Sequence, residues 1–123
     1  MKTIFIILLI AIRGVESTNG LTSGNQLQIS DICVADVNRI YKTSYAPIDV
    51  YDREKSKEIA ELYLMYWGEE YRRKTGRPPD YEIYARIWNG GPNGWKKPST
   101  LKYWKKVRRG IIVEESRLKR KSK

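Results

Sequence analysis

The feature that most constrains this chain is the break Asn89-Gly90-Gly91-Pro92-Asn93-Gly94, set between two stretches of helical spacing. Before it, Ile83, Tyr84, Ile87 and Trp88 recur three and four places apart, and Asp80 stands where a helix cap is needed. Glycine and asparagine reach positive φ cheaply and proline has no amide to donate, so the helix must stop there. Ser99 or Thr100 is then expected to restart a helix whose inner side carries Leu101, Trp104 and Val107. Periodicity alone supports helix, turn, helix, with the aromatics as core.

The same local signals divide the rest of the chain. Ser30 is a cap, Asp31 lies in the first turn, and Cys33, Val37, Ile40 and Tyr41 share one helical face. Thr43 to Asp52 reads as a loop containing Pro47. A long helix is expected from roughly Asp52 to Lys74, with Ile59, Leu62, Tyr63, Tyr66 and Trp67 inward. Gly76 ends it, and Arg77-Pro78-Pro79 forms a stiff link to the Asp80 helix. No alternating runs and no internal repeat stand in the sequence. The expected fold class is all-α, a small domain of about five helices with no substantial sheet. A chain of 123 residues can build one core. Residues 1–113 are read as that single domain and 114–123 as a solvated basic tail that lies beyond the last helical pattern at Val107.

Residues 1–17 have two readings. Lys2 followed by the apolar run Ile4–Ile12 has the shape of a secretory signal, and it is too short to span a bilayer, so no stable membrane anchor is expected. Arg13 follows at once and there is no A-x-A site; Val15 and Ser17 fit a cut at Thr18 only weakly. The rival is a first helix of the domain that ends at Glu16-Ser17 before the polar turn Thr18-Asn19-Gly20.

Charge narrows the chemistry. The formal net charge is +10 and histidine is absent, which excludes histidine-dependent triads and any His-ligated metal. The lone Cys33 can form neither an internal disulfide nor a cysteine cluster, and its apolar setting reads as a buried structural thiol. No metal and no cofactor is expected. So basic a surface favours a polyanion: nucleic acid, anionic lipid or an anionic cell wall. No nucleic-acid-binding motif is present, so a specific nucleic-acid partner ranks last. Four Trp and nine Tyr against a single Phe suit a carbohydrate cleft as well as they suit an aromatic core.

The string around the glycine break carries more than periodicity. Ala85, Arg86, Ile87, Asn89, Gly90, Gly91, Pro92 and Gly94, then Thr100, Tyr103, Trp104 and Val107, resemble without a gap the C-terminal pattern of invertebrate-type lysozymes. The same stretch is similar to the A-Y-N-x-G motif of goose-type lysozymes and soluble lytic transglycosylases. Val15-Glu16-Ser17 resembles the family's VES tripeptide, whose glutamate is the catalytic acid. Gln26-Leu27-Gln28-Ile29 resembles the G-x-(L/M)-Q-I segment, with Gln28 as its glutamine. Asn25, beside Gly24, stands in place of that motif's glycine and tolerates positive φ. Trp88 stands where invertebrate-type members carry histidine, and Trp95 where they carry a disulfide cysteine.

This resemblance implies a lysozyme-like domain acting on peptidoglycan glycan strands. It implies Glu16 as the acid, with Gln28, Tyr84, Trp88 and Asn89 as contacts to the sugars. A two-carboxylate glycosidase needs a second Asp or Glu beside the acid. Thr18 to Leu27 contains none, and Asp31 and Asp36 are the nearest downstream. The resemblance therefore implies lytic transglycosylase chemistry, in which one glutamate serves as acid and base. The alternatives are a two-carboxylate hydrolase and a catalytically inactive relative that binds peptidoglycan without cutting it. The expected setting is extracytoplasmic, or that of a phage-encoded protein acting on a host wall, with anionic wall polymers held by the basic surface and tail.

Overall fold

Three helices begin where a side-chain oxygen meets their free amides. Ser30 Oγ accepts from Cys33 N at 3.1 Å, Asp52 Oδ1 from Lys55 N at 2.8 Å, and Asp80 Oδ1 from Ile83 N at 3.0 Å. In the computed structural model, which describes residues 3–19 and 24–121, these caps open α2 (Asp31–Tyr41), α3 (Arg53–Thr75) and α4 (Tyr81–Gly90). Left-handed or positive-φ residues close them: Lys42 (φ 58), Gly76 (φ 75) and Gly91 (φ 85). The first helix, α1, covers Thr3–Asn19, and the last, α5, covers Leu101–Lys121. Short 3-10 turns occupy Pro47–Tyr51, Gly94–Lys96 and Pro98–Thr100, and no strand occurs among the described residues. The all-α expectation holds.

The apolar run near the start of the chain is a packed helix. Phe5, Leu8 and Ile12 of α1 are fully buried, and the broadest helix–helix contact in the fold is that of α1 with α5. Gly110 permits the approach, since a Cβ added there would stand 3.2 Å from the Ala11 Cβ. Helix α4 packs on both α5 and α3, and α2 packs on α3. Ile59, Leu64, Ile87, Val37 and Val107 complete the innermost layer. Lys2 and Gly20, used above to weigh the two readings of this segment, lie outside the described residues.

Two details of α5 differ from the sequence expectation. Leu101 is 42% exposed, because the turn at Pro98–Thr100 rotates the helix start and places Thr100 inward instead. The helix also continues past Val107 to Lys121, where the pattern predicts a tail. Ile111, one turn beyond Val107, is buried against the α1–α5 contact and carries the helix onward. No helix among the described residues is long and apolar enough to cross a membrane.

The glycine break is a clamp built around Arg86. Its guanidinium donates to Thr100 Oγ1 at 2.8 Å and to the Lys97 carbonyl at 3.0 Å, and pairs with Glu82 at 2.9 Å. Thr100 Oγ1 in turn donates to the Gly94 carbonyl at 2.8 Å, and Lys97 Nζ to the Gly90 carbonyl at 2.8 Å. Gly94 lies directly on α4: a Cβ there would stand 2.0 Å from the Arg86 carbonyl oxygen. A Cβ on Gly90 would meet the Thr100 methyl at 2.6 Å. Backbone cannot yield as a flexible side chain can, so Gly94→Ala is expected to cost about 3 kcal/mol or more. Gly14→Ala, at a helical position with open space around it, is expected to stabilise by roughly 0.5–1 kcal/mol. Urea midpoints of the two variants against the parent check both signs.

Candidate functional site

Three of the residues singled out in the sequence meet at one cavity. Its volume is about 240 Å³, and Gln28, Ile29, Tyr63, Trp88, Asn89 and Pro92 are among its walls. The α4 C-terminus brings Trp88 and Asn89 to it, and α3 contributes Tyr63. Trp88 is half-buried and stands edge-on to Tyr63, with ring centroids 5.9 Å apart and an interplanar angle of 86°. Asn89 is exposed.

Gln28 reaches the cavity through a tight turn that Asn25 ties. The Asn25 side chain accepts from Ile29 N at 3.0 Å and donates to the Ile29 carbonyl at 2.9 Å. Leu27 and Ile29 are buried on either side, which turns Gln28 outward, and its Nε2 donates to the Asn25 carbonyl at 2.8 Å. Positive φ falls on Gly24 (75) and Gln28 (53), not on Asn25. Asn25 therefore substitutes for the motif glycine through its amide group rather than through backbone freedom.

Tyr84 does not line this cavity. Its ring is buried, makes a T-shaped contact with Phe5 at 4.9 Å, and lies over Gly68, where a Cβ would come within 2.6 Å of the ring. Tyr84 and Trp88, four places apart, lie on the same side of α4: Tyr84 sits one turn nearer the helix start, enclosed by Phe5 and Gly68, and Trp88 sits one turn further on, at the cavity. The exposed surface of Tyr84 is too small for a sugar to rest on, so its place in the fold is a core one.

Glu16 lies near the end of α1, half-buried, and does not line the cavity either. Tyr103 Oη donates to Glu16 Oε2 at 2.9 Å. Burial raises the Glu16 carboxyl above its ordinary pKa, and the Tyr103 hydrogen bond offsets part of that rise. Burial and the neighbouring carboxylate push the Tyr103 phenol well above its own range, so it remains a donor. A chain of contacts joins the two places. Tyr103 follows Thr100 by one helical turn, the Thr100 methyl packs on Gly90, and Gly90 is next to Asn89. Tyr103 was visible in the sequence only as a motif position; its role as a partner of Glu16 depends on a contact between residues 87 places apart. Tyr63 carried no signal beyond an inward-facing period.

No acidic residue lines the cavity among those described. Asp36 accepts from Trp67 Nε1 at 3.0 Å and also from Arg39, and Asp31 is exposed in the first turn of α2. No group of three or more His, Cys, Asp or Glu side chains suited to a metal occurs among the described residues. Cys33 does form part of the cavity wall, but burial and the Asp36 charge push its thiol up to about 12, which leaves it a poor nucleophile. Trp95 packs edge-on to Tyr71 at 5.0 Å.

The chain is similar to curated invertebrate proteins named lysozyme. It is 57% identical to one from Magallana gigas over 37 residues, which is 30% of this chain and 27% of the relative. It is 49% identical to one from Ostrea edulis over 39 residues, 32% of this chain and 28% of the relative. A lysozyme from Meretrix lusoria is 37% identical over 54 residues, 44% of each chain. The chain thus spans less than half the length of these relatives. No protein-family model and no solved structure matches it.

The Glu16 environment has a direct consequence for stability. A carboxyl whose pKa is higher folded than unfolded binds its proton more tightly in the native state. Its contribution is fully present below the unfolded pKa near 4.5 and is lost as pH rises through the folded value. Glu16→Gln should therefore gain melting temperature relative to the parent as pH is raised from about 4 to about 8, upward from near the ordinary glutamate pKa. Tyr103→Phe removes the one contact that lowers the Glu16 pKa and should move its titration upward, as read by carboxyl carbon chemical shift.

Proposed function

We propose that the chain is a muramidase-type enzyme that cleaves the β-1,4 bond between N-acetylmuramate and N-acetylglucosamine in peptidoglycan, with Glu16 as its acid. The observation that carries this reading is the Glu16–Tyr103 pair: a half-buried carboxyl held at the end of an apolar helix by a tyrosine of the lysozyme-like motif. An acid with a raised pKa keeps its proton closer to neutral pH, as cleavage of a glycoside requires. The similarity to the oyster and clam proteins named lysozyme supports the same reaction class.

The finer reading is lytic transglycosylase chemistry. Glu16 gives its proton to the leaving oxygen as the C1–O4 bond breaks. It then takes the proton of the muramate 6-hydroxyl as that oxygen bonds to C1, which closes a 1,6-anhydro ring with help from the substrate's N-acetyl group. Glu16 ends protonated, ready for another turnover. The engagement of Asp36 with Trp67 and Arg39 supports one carboxylate over two. Gln28, Trp88 and Asn89 are proposed to hold the sugars through amide hydrogen bonds and an aromatic face. In this reading residues 3–19 are retained as the helix that carries the acid, the protein acts outside the cytoplasm or on a host wall, and the basic residues of α5 hold anionic wall polymers.

A second reading is a peptidoglycan-binding relative that does not cut. It draws support from one observation: Glu16 does not line the cavity that Gln28, Trp88 and Asn89 share. Mass spectrometry of fragments released from purified peptidoglycan separates the outcomes. Anhydro-ended fragments from the parent and none from Glu16→Gln are expected. Reducing ends would mean attack by water, and no fragments from either protein would leave the binding reading. The rate of the parent should fall as pH rises above the Glu16 pKa, because the first step needs its proton.

A further inference from the structure

A second cavity, of about 210 Å³, lies between α1 and the start of α3, on walls not shared with the Gln28–Asn89 cavity. Its floor is apolar: Phe5, Leu9 and Leu27 are buried there, and Ile6, 46% exposed, forms one side. Its polar wall carries one sign of charge. Arg13 comes from α1, and Arg53 and Lys57 from the first turns of α3, with no carboxylate lining the space among the described residues. Lys57 is shared with Glu54 at 3.8 Å, whereas Arg13 and Arg53 form no ion pair among the described residues. The Ser56 hydroxyl is already used, donating to the Arg53 carbonyl at 3.0 Å.

Three cations around an apolar floor fit neither a neutral hydrocarbon nor a bare inorganic anion. An apolar body with a single anionic end satisfies both parts, because the cations gain a charge-assisted partner while the floor is removed from water. Size limits the body. A dry cavity of about 150 Å³ lined by similar side chains holds benzene, so this one takes a chain of roughly eight carbons and leaves no room for a second chain.

We propose that this slot binds a monomeric single-chain carboxylate, its acyl body between α1 and α3 and its carboxylate between Arg13 and Arg53. The site is independent of the peptidoglycan reading, since none of its residues is placed in that machinery. Octanoate is the probe, titrated below its micellar range into the full chain by calorimetry, with the aromatic and methyl resonances of Phe5, Leu9 and Leu27 followed by NMR. Saturable one-to-one binding is expected, with shifts confined to those residues. Octanol should bind about tenfold more weakly or worse, as should octanoate to Arg53→Gln, each having lost the charge-assisted contact. Ile6→Trp, which fills the slot from an exposed position, should abolish binding. If that variant is shown by circular dichroism to be misfolded, the octanol and Arg53→Gln comparisons decide alone. Equal binding of octanol and octanoate, or no saturable binding up to millimolar concentration, overturns the proposal. Binding unchanged in both variants does so too, because octanoate would then sit elsewhere, such as the basic face of α5. Retention on phosphatidylglycerol vesicles that Ile6→Trp abolishes, without octanoate binding, would assign the slot to a bilayer-held chain and overturn it as well.

Discussion

The Arg86 guanidinium is the interaction on which the rest of the arrangement depends. Its side chain is only 11% exposed, so its charge must be matched within the protein. Glu82, Thr100 and the Lys97 carbonyl match it, and each belongs to a different part of the helix–turn–helix segment. Removing one partner of such a buried charge leaves the other groups stranded, which costs far more than an exposed pair would. The same contacts fix the direction in which α5 leaves the turn. That direction sets where Tyr103 falls, and Tyr103 sets the environment of Glu16. One buried cation therefore connects the shape of the turn to the proton affinity of a carboxyl on another helix.

How much of this could be read from sequence follows from the range of each interaction. The caps at Ser30 and Asp80 and the stops at Gly76 and Gly91 depend on residues within one turn, and all of them were evident from the residues themselves. The inner face of α5 was not, because two 3-10 turns between Gly94 and Thr100 shift the helical phase by an amount no periodicity encodes. Thr100 is buried and Leu101 exposed as a result. Tyr84 and Trp88 stand one turn apart on the same side of α4, and only the packing of Phe5 and Gly68 shows that the Tyr84 level is closed while the Trp88 level reaches the cavity. Gln28, Trp88 and Asn89 share a cavity because a local turn and a helix end happen to face one another, which the order of motifs allowed but did not require.

Residues that look like defects in the lysozyme-like pattern have local explanations. Asn25 closes its turn with two side-chain hydrogen bonds that glycine could not make. Trp95 fills space against Tyr71, and Trp88 against Tyr63. At Trp95, where the resemblance implies a cysteine, the contact made is aromatic packing.

The α1–α5 contact also fixes an order of events during synthesis. The buried side of α1, with Phe5, Leu8 and Ile12, emerges from the ribosome long before the helix that covers it. Until that helix docks, Glu16 has neither the burial that raises its pKa nor the Tyr103 phenol that offsets part of the rise, and it behaves as an ordinary solvated carboxylate. A nascent or prematurely terminated chain is therefore chemically silent at Glu16, and the residue acquires its raised proton affinity only when the last helix docks.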